Sequence, residues 1–126
     1  MENQDYTFIM SSSFGIMHKI MKYIEKSMDD TVFNEKDFTA KNFNISENRF
    51  ARLLDTLVES GYVTGIEIID YNEPDPIQAQ DKNYKRFDIK IDNPEITVDG
   101  MRFMAENTML MKTWTTIKSV KDLLPI

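Results

Sequence analysis

The stretch from Ser46 to Ile69, SENRFARLLDTLVES followed by Gly61 and YVTGIEII, restricts the fold of this chain more than any other. A serine at position 46 can accept hydrogen bonds from the free amides at the start of a helix. Phe50, Leu53, Leu54, Leu57 and Val58 recur at threes and fours, so residues 47–60 are predicted to form a helix with one apolar face. Gly61 supplies the left-handed stop. Tyr62–Ile69 begins at once and is rich in β-branched residues, so a strand must neighbour the helix that feeds it. A capped helix running straight into a hairpin strand is the centre of a winged helix-turn-helix.

The flanking segments fit around that centre. Residues 14–29 predict a first helix, with Ile16 or Met17, Ile20, Met21, Ile24 and Met28 inward and Lys19, Lys22, Glu25 and Lys26 outward. Ser11, Ser12 and Ser13 offer a choice of caps for it. Residues 30–45 are polar, punctuated by Val32, Phe33, Phe38, Phe43 and Ile45. A short strand near Val32 and a short helix over Glu35–Ala40 are predicted there, with Asn42 and Asn44 in the turn and the aromatics as core anchors. Beyond the first hairpin strand, in which Gly65 marks a bulge or an edge, Pro74 and Pro76 keep residues 70–83 out of a regular strand and make them the wing. Tyr84–Ile91 returns, and Asp92–Asn93–Pro94 is expected to end the sheet. Thr97 can cap a helix containing Met101, Phe103 and Met104, and Thr108 a last one containing Leu110, Met111, Trp114 and Ile117. The expected organisation is an arm over residues 1–13 and one domain over 14–126, which includes a helical extension over 96–126. The expected fold class is α+β, a winged helix-turn-helix with additional C-terminal helices.

Composition narrows the chemistry. No cysteine is present, so disulfides, thiolate nucleophiles and thiolate metal sites are excluded. His18 is the only histidine and has no neighbour in sequence that would make it a ligand. The acids of Asp70–Asp75 lack the spacing of a calcium loop. The serines sit in no nucleophile elbow, and the glycines form no phosphate-cradling loop. The expectation is a protein without catalysis, metal or cofactor. No apolar run is long enough to span a bilayer, and the N-terminus lacks the basic start of a signal peptide. The chain is therefore expected to be cytoplasmic, with no membrane partner.

The shape suggests nucleic acid while the charge opposes it. Asn48, Arg49 and Arg52 would face the major groove, where arginine forks onto guanine and asparagine onto adenine. Lys82, Lys85 and Arg86 on the return side would hold the phosphate backbone. Yet 21 acids against 15 bases leave a net charge of -6, which repels a duplex at long range. Asp55 and Glu59 lie near the arginines, and the wing carries Asp70, Glu73, Asp75 and Asp81 before its first base. Weak binding of double-stranded DNA is one expectation; a protein-interaction module without DNA is the other. A homodimer is also expected, with Met111 and Trp114 at its interface.

Three segments resemble the YjcQ-like family of small winged-helix proteins of low-GC Gram-positive bacteria and their prophages. They are NISENRFARLLDTLVESGYVTGI at 44–66, ITVDGMRFMAENTM at 96–109 and WTTIKSVKDLLP at 114–125. With the first helix, the similarity spans residues 16–125. It implies the same fold and a phage-linked or regulatory setting, and it transfers no catalytic or binding residue.

Overall fold

The computed structural model describes residues 12–108. The arm as far as residue 11, the predicted last helix and the expected interface residues Met111 and Trp114 lie outside that range. Within it the order is helix α1 (Ser13–Ser27), two 3-10 turns (Glu35–Asp37 and Lys41–Phe43), helix α2 (Glu47–Glu59), strand β1 (Val63–Asp70), a 3-10 turn (Gln78–Gln80) and strand β2 (Phe87–Ile96). A helix, α3, then occupies residues 98–108.

The helix ends follow the local chemistry. Ser12 caps α1, its hydroxyl accepting the Gly15 amide at 3.2 Å. Ser46 caps α2 by accepting the Arg49 amide at 3.1 Å. At the far end of α2 the Gly61 amide donates to the Val58 carbonyl and the Tyr62 amide to the Leu57 carbonyl, both at 3.0 Å. This paired closure needs a left-handed residue, and Gly61 has φ +77. Thr97 closes a circuit between elements. Its hydroxyl accepts the Gly100 amide at 3.0 Å and donates to the Gly61 carbonyl at 2.6 Å, and its own amide reaches the Tyr62 carbonyl at 3.0 Å. The start of α3 is thereby clasped to the end of α2.

β1 and β2 pair antiparallel from Asp70↔Phe87 to Ile66↔Ile91, and again at Thr64↔Glu95 and Val63↔Ile96. The expected end of the sheet at Asp92–Pro94 is not observed; β2 continues through it. Gly65 alone lies opposite residues 92–94, so the surplus is absorbed as a bulge, with Asn93 at φ 48. Pro94 is tolerated because every strand of a two-stranded sheet is an edge. Of the bulge or edge expected at Gly65, the bulge is observed. The strand expected near Val32 is absent, and Val32 stands 75% exposed. The short helix expected over Glu35–Ala40 is instead a 3-10 turn over Glu35–Asp37, with the second turn, Lys41–Phe43, following after Phe38, Thr39 and Ala40. Asn44, expected in the turn, takes φ 59 there. Thr108 is the last described residue and is helical, and the helix expected to follow it lies outside the described residues.

One core unites these elements. Ile16, Ile20, Met21 and Ile24 of α1 meet Leu53, Leu54 and Leu57 of α2, Val63, Ile66 and Ile96 of the hairpin, and Met104 of α3. Alongside it, Tyr23, Phe33, Phe38, Phe43 and Phe50 form an aromatic cluster with ring centroids 5.2–6.2 Å apart. That cluster takes the place of a regular second helix in positioning α2 against α1.

Candidate nucleic-acid interface

Helix α2 and the wing end of the hairpin enclose an open cleft of about 470 Å³. Asn48 and Phe50 line it from α2, and Lys82, Tyr84, Lys85 and Phe87 from the hairpin. The fold therefore brings together three of the six residues expected to touch DNA, namely Asn48, Lys82 and Lys85. Asn48 is exposed at the first turn of α2, and Lys82 is exposed and makes no ion pair among the described residues. Lys85 is exposed as well, with its ammonium 3.4 Å from Asp88.

The three arginines are each engaged with the protein itself. Arg52 places its guanidinium 5.6 Å above the Phe87 ring, beside the cleft, and does not form the local pair with Asp55 that its spacing allows. Cation and ring attract through the quadrupole of the aromatic face, so α2 and β2 are joined at this point. Arg49 turns toward α1, donating to the Ser13 hydroxyl at 3.0 Å. Arg86 forks onto Asp70, at 3.0 Å from Nε and 3.3 Å from a terminal nitrogen, with Glu73 at 4.0 Å and the Phe87 ring at 5.0 Å. This planar fork is the geometry in which arginine holds carboxylates best. It depresses the Asp70 carboxyl below its usual range, first through the Arg86 hydrogen bonds and then through the Asn72 amide. Next to it, the Tyr71 hydroxyl donates to Asp88 at 2.9 Å; with Lys85 this lowers the Asp88 carboxyl too. Arg86 therefore braces the neck of the wing, whereas Lys82 and Lys85 stand toward the cleft.

Sequence reasoning overlooked Tyr84 and Phe87 as parts of this site. The Tyr84 hydroxyl ties to the Asn72 carbonyl at 2.7 Å, and Phe87 carries guanidinium groups from two elements. Strand alternation shows that Phe87 faces one side of the hairpin, but no local signal shows that two arginines meet it.

His18 lies away from the cleft and touches α3, with Nε2 3.3 Å from the Thr108 hydroxyl. Burial lowers its pKa from 6.5, Lys22 adds to the effect and Glu25 opposes it. A depressed value in the folded state means that the unfolded chain binds the proton more readily. Stability from this site is then fully present above 6.5 and is lost as pH falls through the folded value. His18→Gln is expected to flatten the rise in melting temperature between mildly acidic and neutral pH. An unchanged rise in the variant would assign it to other groups. Asp70 and Asp88 act in a separate window, since their contribution is lost only as pH falls below 3.8 and through their lowered values.

Among the described residues no cluster of three or more histidine, aspartate or glutamate side chains is arranged to hold a metal ion. No helix in the same range is long and apolar enough to cross a membrane.

Taken together, the helix order, the capped α2 and the antiparallel hairpin define a winged helix-turn-helix protein. Residues 18–123 match the model of the family described as YjcQ protein, and the chain belongs to that family. Comparison with curated proteins and with solved structures gives no match.

Proposed function

We propose that this protein is a cytoplasmic, non-catalytic regulatory protein, phage-linked in origin, that binds double-stranded DNA weakly through α2 and the neck of its hairpin. The observation that carries this reading is the shared cleft. Asn48 of the helix and Lys82 and Lys85 of the hairpin line one opening, with Arg52 beside it. In this arrangement Asn48 and Arg52 approach base edges, and the two lysines approach phosphates. Arg49 serves as a strut between α2 and α1, and Arg86 as a brace across the neck of the hairpin. The net charge of -6 accounts for the weakness, because only a local patch attracts the duplex.

The test is the salt dependence of duplex binding by fluorescence anisotropy. Each phosphate contact contributes about 0.9 to the slope of log K against log salt, so Lys82→Ala/Lys85→Ala should lower it by nearly 2. Arg52→Ala should weaken binding further. Slopes and affinities that survive all three changes would place the contact on another face, and no binding at low ionic strength would remove DNA from the reading. The second reading, a protein-interaction module without DNA, is favoured by one observation. The wing presents Ile77, 81% exposed, within reach in sequence of Glu73, Asp75 and Asp81.

A further inference from the structure

Ile77 is the most exposed large apolar side chain among the described residues, and the loop that carries it is internally organised. The Asp75 carboxylate accepts the Ile77 amide at 3.0 Å and the Gln78 amide at 2.7 Å, and the Gln78 side chain accepts the Asp75 amide at 3.1 Å. The Ala79 amide closes onto the Asp75 carbonyl at 2.8 Å, and the turn Gln78–Gln80 follows. Pro74 and Pro76 restrict the chain on either side of Asp75. The apex is thus a prefolded knob, and a prefolded contact loses little ordering entropy when it binds. Its acids, Glu73, Asp75 and Asp81, set it against phosphate and in favour of a basic surface.

The same chain offers such a surface. Lys19, Lys22 and Lys26 stand exposed on one side of α1, and none forms an ion pair among the described residues. They line an open cleft of about 620 Å³ together with half-buried Tyr23 and Phe43. Glu25 and Asp29 stand in the same lining, so lysines outnumber acids there three to two. Aromatic rings can receive an isoleucine, and the lysines can receive the acids around it. Lys82, the first base after the knob, can meet Glu25 or Asp29.

We infer that the wing tip of one copy docks in the α1 cleft of a second copy, and that the second copy reciprocates to close a twofold dimer. Reciprocal exchange satisfies both surfaces in a closed pair, as isologous contacts require. The inference does not rest on DNA binding, and its test contains no nucleic acid.

Light scattering coupled to size-exclusion chromatography should show a dimer at low ionic strength that dissociates with added salt. Ile77→Ser should weaken it about tenfold, as expected when a central apolar anchor is truncated. Glu73→Lys and Lys22→Glu should each weaken it as well, while circular dichroism confirms unchanged folding. An equimolar mixture of these two variants should regain the dimer, because one contact then sets the exchanged charges at positions 73 and 22 against each other while the other contact is unaltered. A monomeric wild-type protein, an open-ended polymer, a dimer indifferent to Ile77→Ser, or a mixture that stays monomeric would overturn the inference.

Discussion

Gly65→Ala is expected to cost roughly 2–5 kcal/mol of folding stability, from about 1–2 for the left-handed backbone and about 1–3 for steric overlap. Gly65 has φ +81, and a Cβ there would lie 2.5 Å from the Asp92 carbonyl oxygen and 2.7 Å from that of Asn93. Both neighbours are backbone, so relief requires moving the bulge. Moving the bulge disturbs the register that places Val63 opposite Ile96 and Ile66 opposite Ile91. Gly61→Ala is the natural comparison. It shares a positive φ, at +77, but a Cβ there meets nothing within 4 Å. Only the backbone component, about 1–2 kcal/mol, is then lost. Urea denaturation of the two variants separates strain from overlap. Equal midpoints would show that the bulge yields freely.

Phe38→Ala is expected to cost about 3–5 kcal/mol, the range for truncating a buried phenylalanine. Phe38 is 4% exposed and lies between the two 3-10 turns, with ring centroids of Tyr23, Phe33, Phe43 and Phe50 at 5.2–5.9 Å. Short 3-10 turns contribute little stability of their own. The connection between α1 and α2 therefore depends on this ring more than on its backbone hydrogen bonds. Calorimetry of Phe38→Ala beside Phe33→Ala, whose ring is only half-buried, should show a clearly larger loss at Phe38. Similar losses would spread the bracing over the whole cluster.

The parts of this fold that the sequence announces are those with local causes. Ser46 and Thr97 cap because their hydroxyls reach amides three residues on, and Gly61 stops a helix because of its own φ. Gly65 likewise signals its bulge. The length of that bulge is not legible: Pro94 reads as the end of a strand because proline usually is, and only the edge position of β2 allows it to continue. Phe33, Phe38 and Phe43 recur at fives, a spacing that fits no single helical face, and they act through partners on α1 and α2. The candidate site shows the same division. Asn48, Lys82 and Lys85 were legible as exposed polar residues on the right elements. The capture of Arg49 by Ser13 spans 36 residues and that of Arg86 by Asp70 spans 16, distances over which residue type alone carries no information on pairing.

The clasp of Thr97 onto Gly61 and Tyr62 makes the hairpin an excursion that leaves and re-enters the core at one point, across hydrogen bonds of 2.6 and 3.0 Å. None of residues 71–86, the outer part of that excursion, is buried. Lengthening such a loop is inexpensive, since each doubling adds only about 0.6 kcal/mol of closure entropy. The tip is therefore an interchangeable module: its length, charge and apex residue are free to diverge among copies of this architecture while α1, α2 and the strand register stay fixed. Partner choice can change in one short segment without a compensating change in the core.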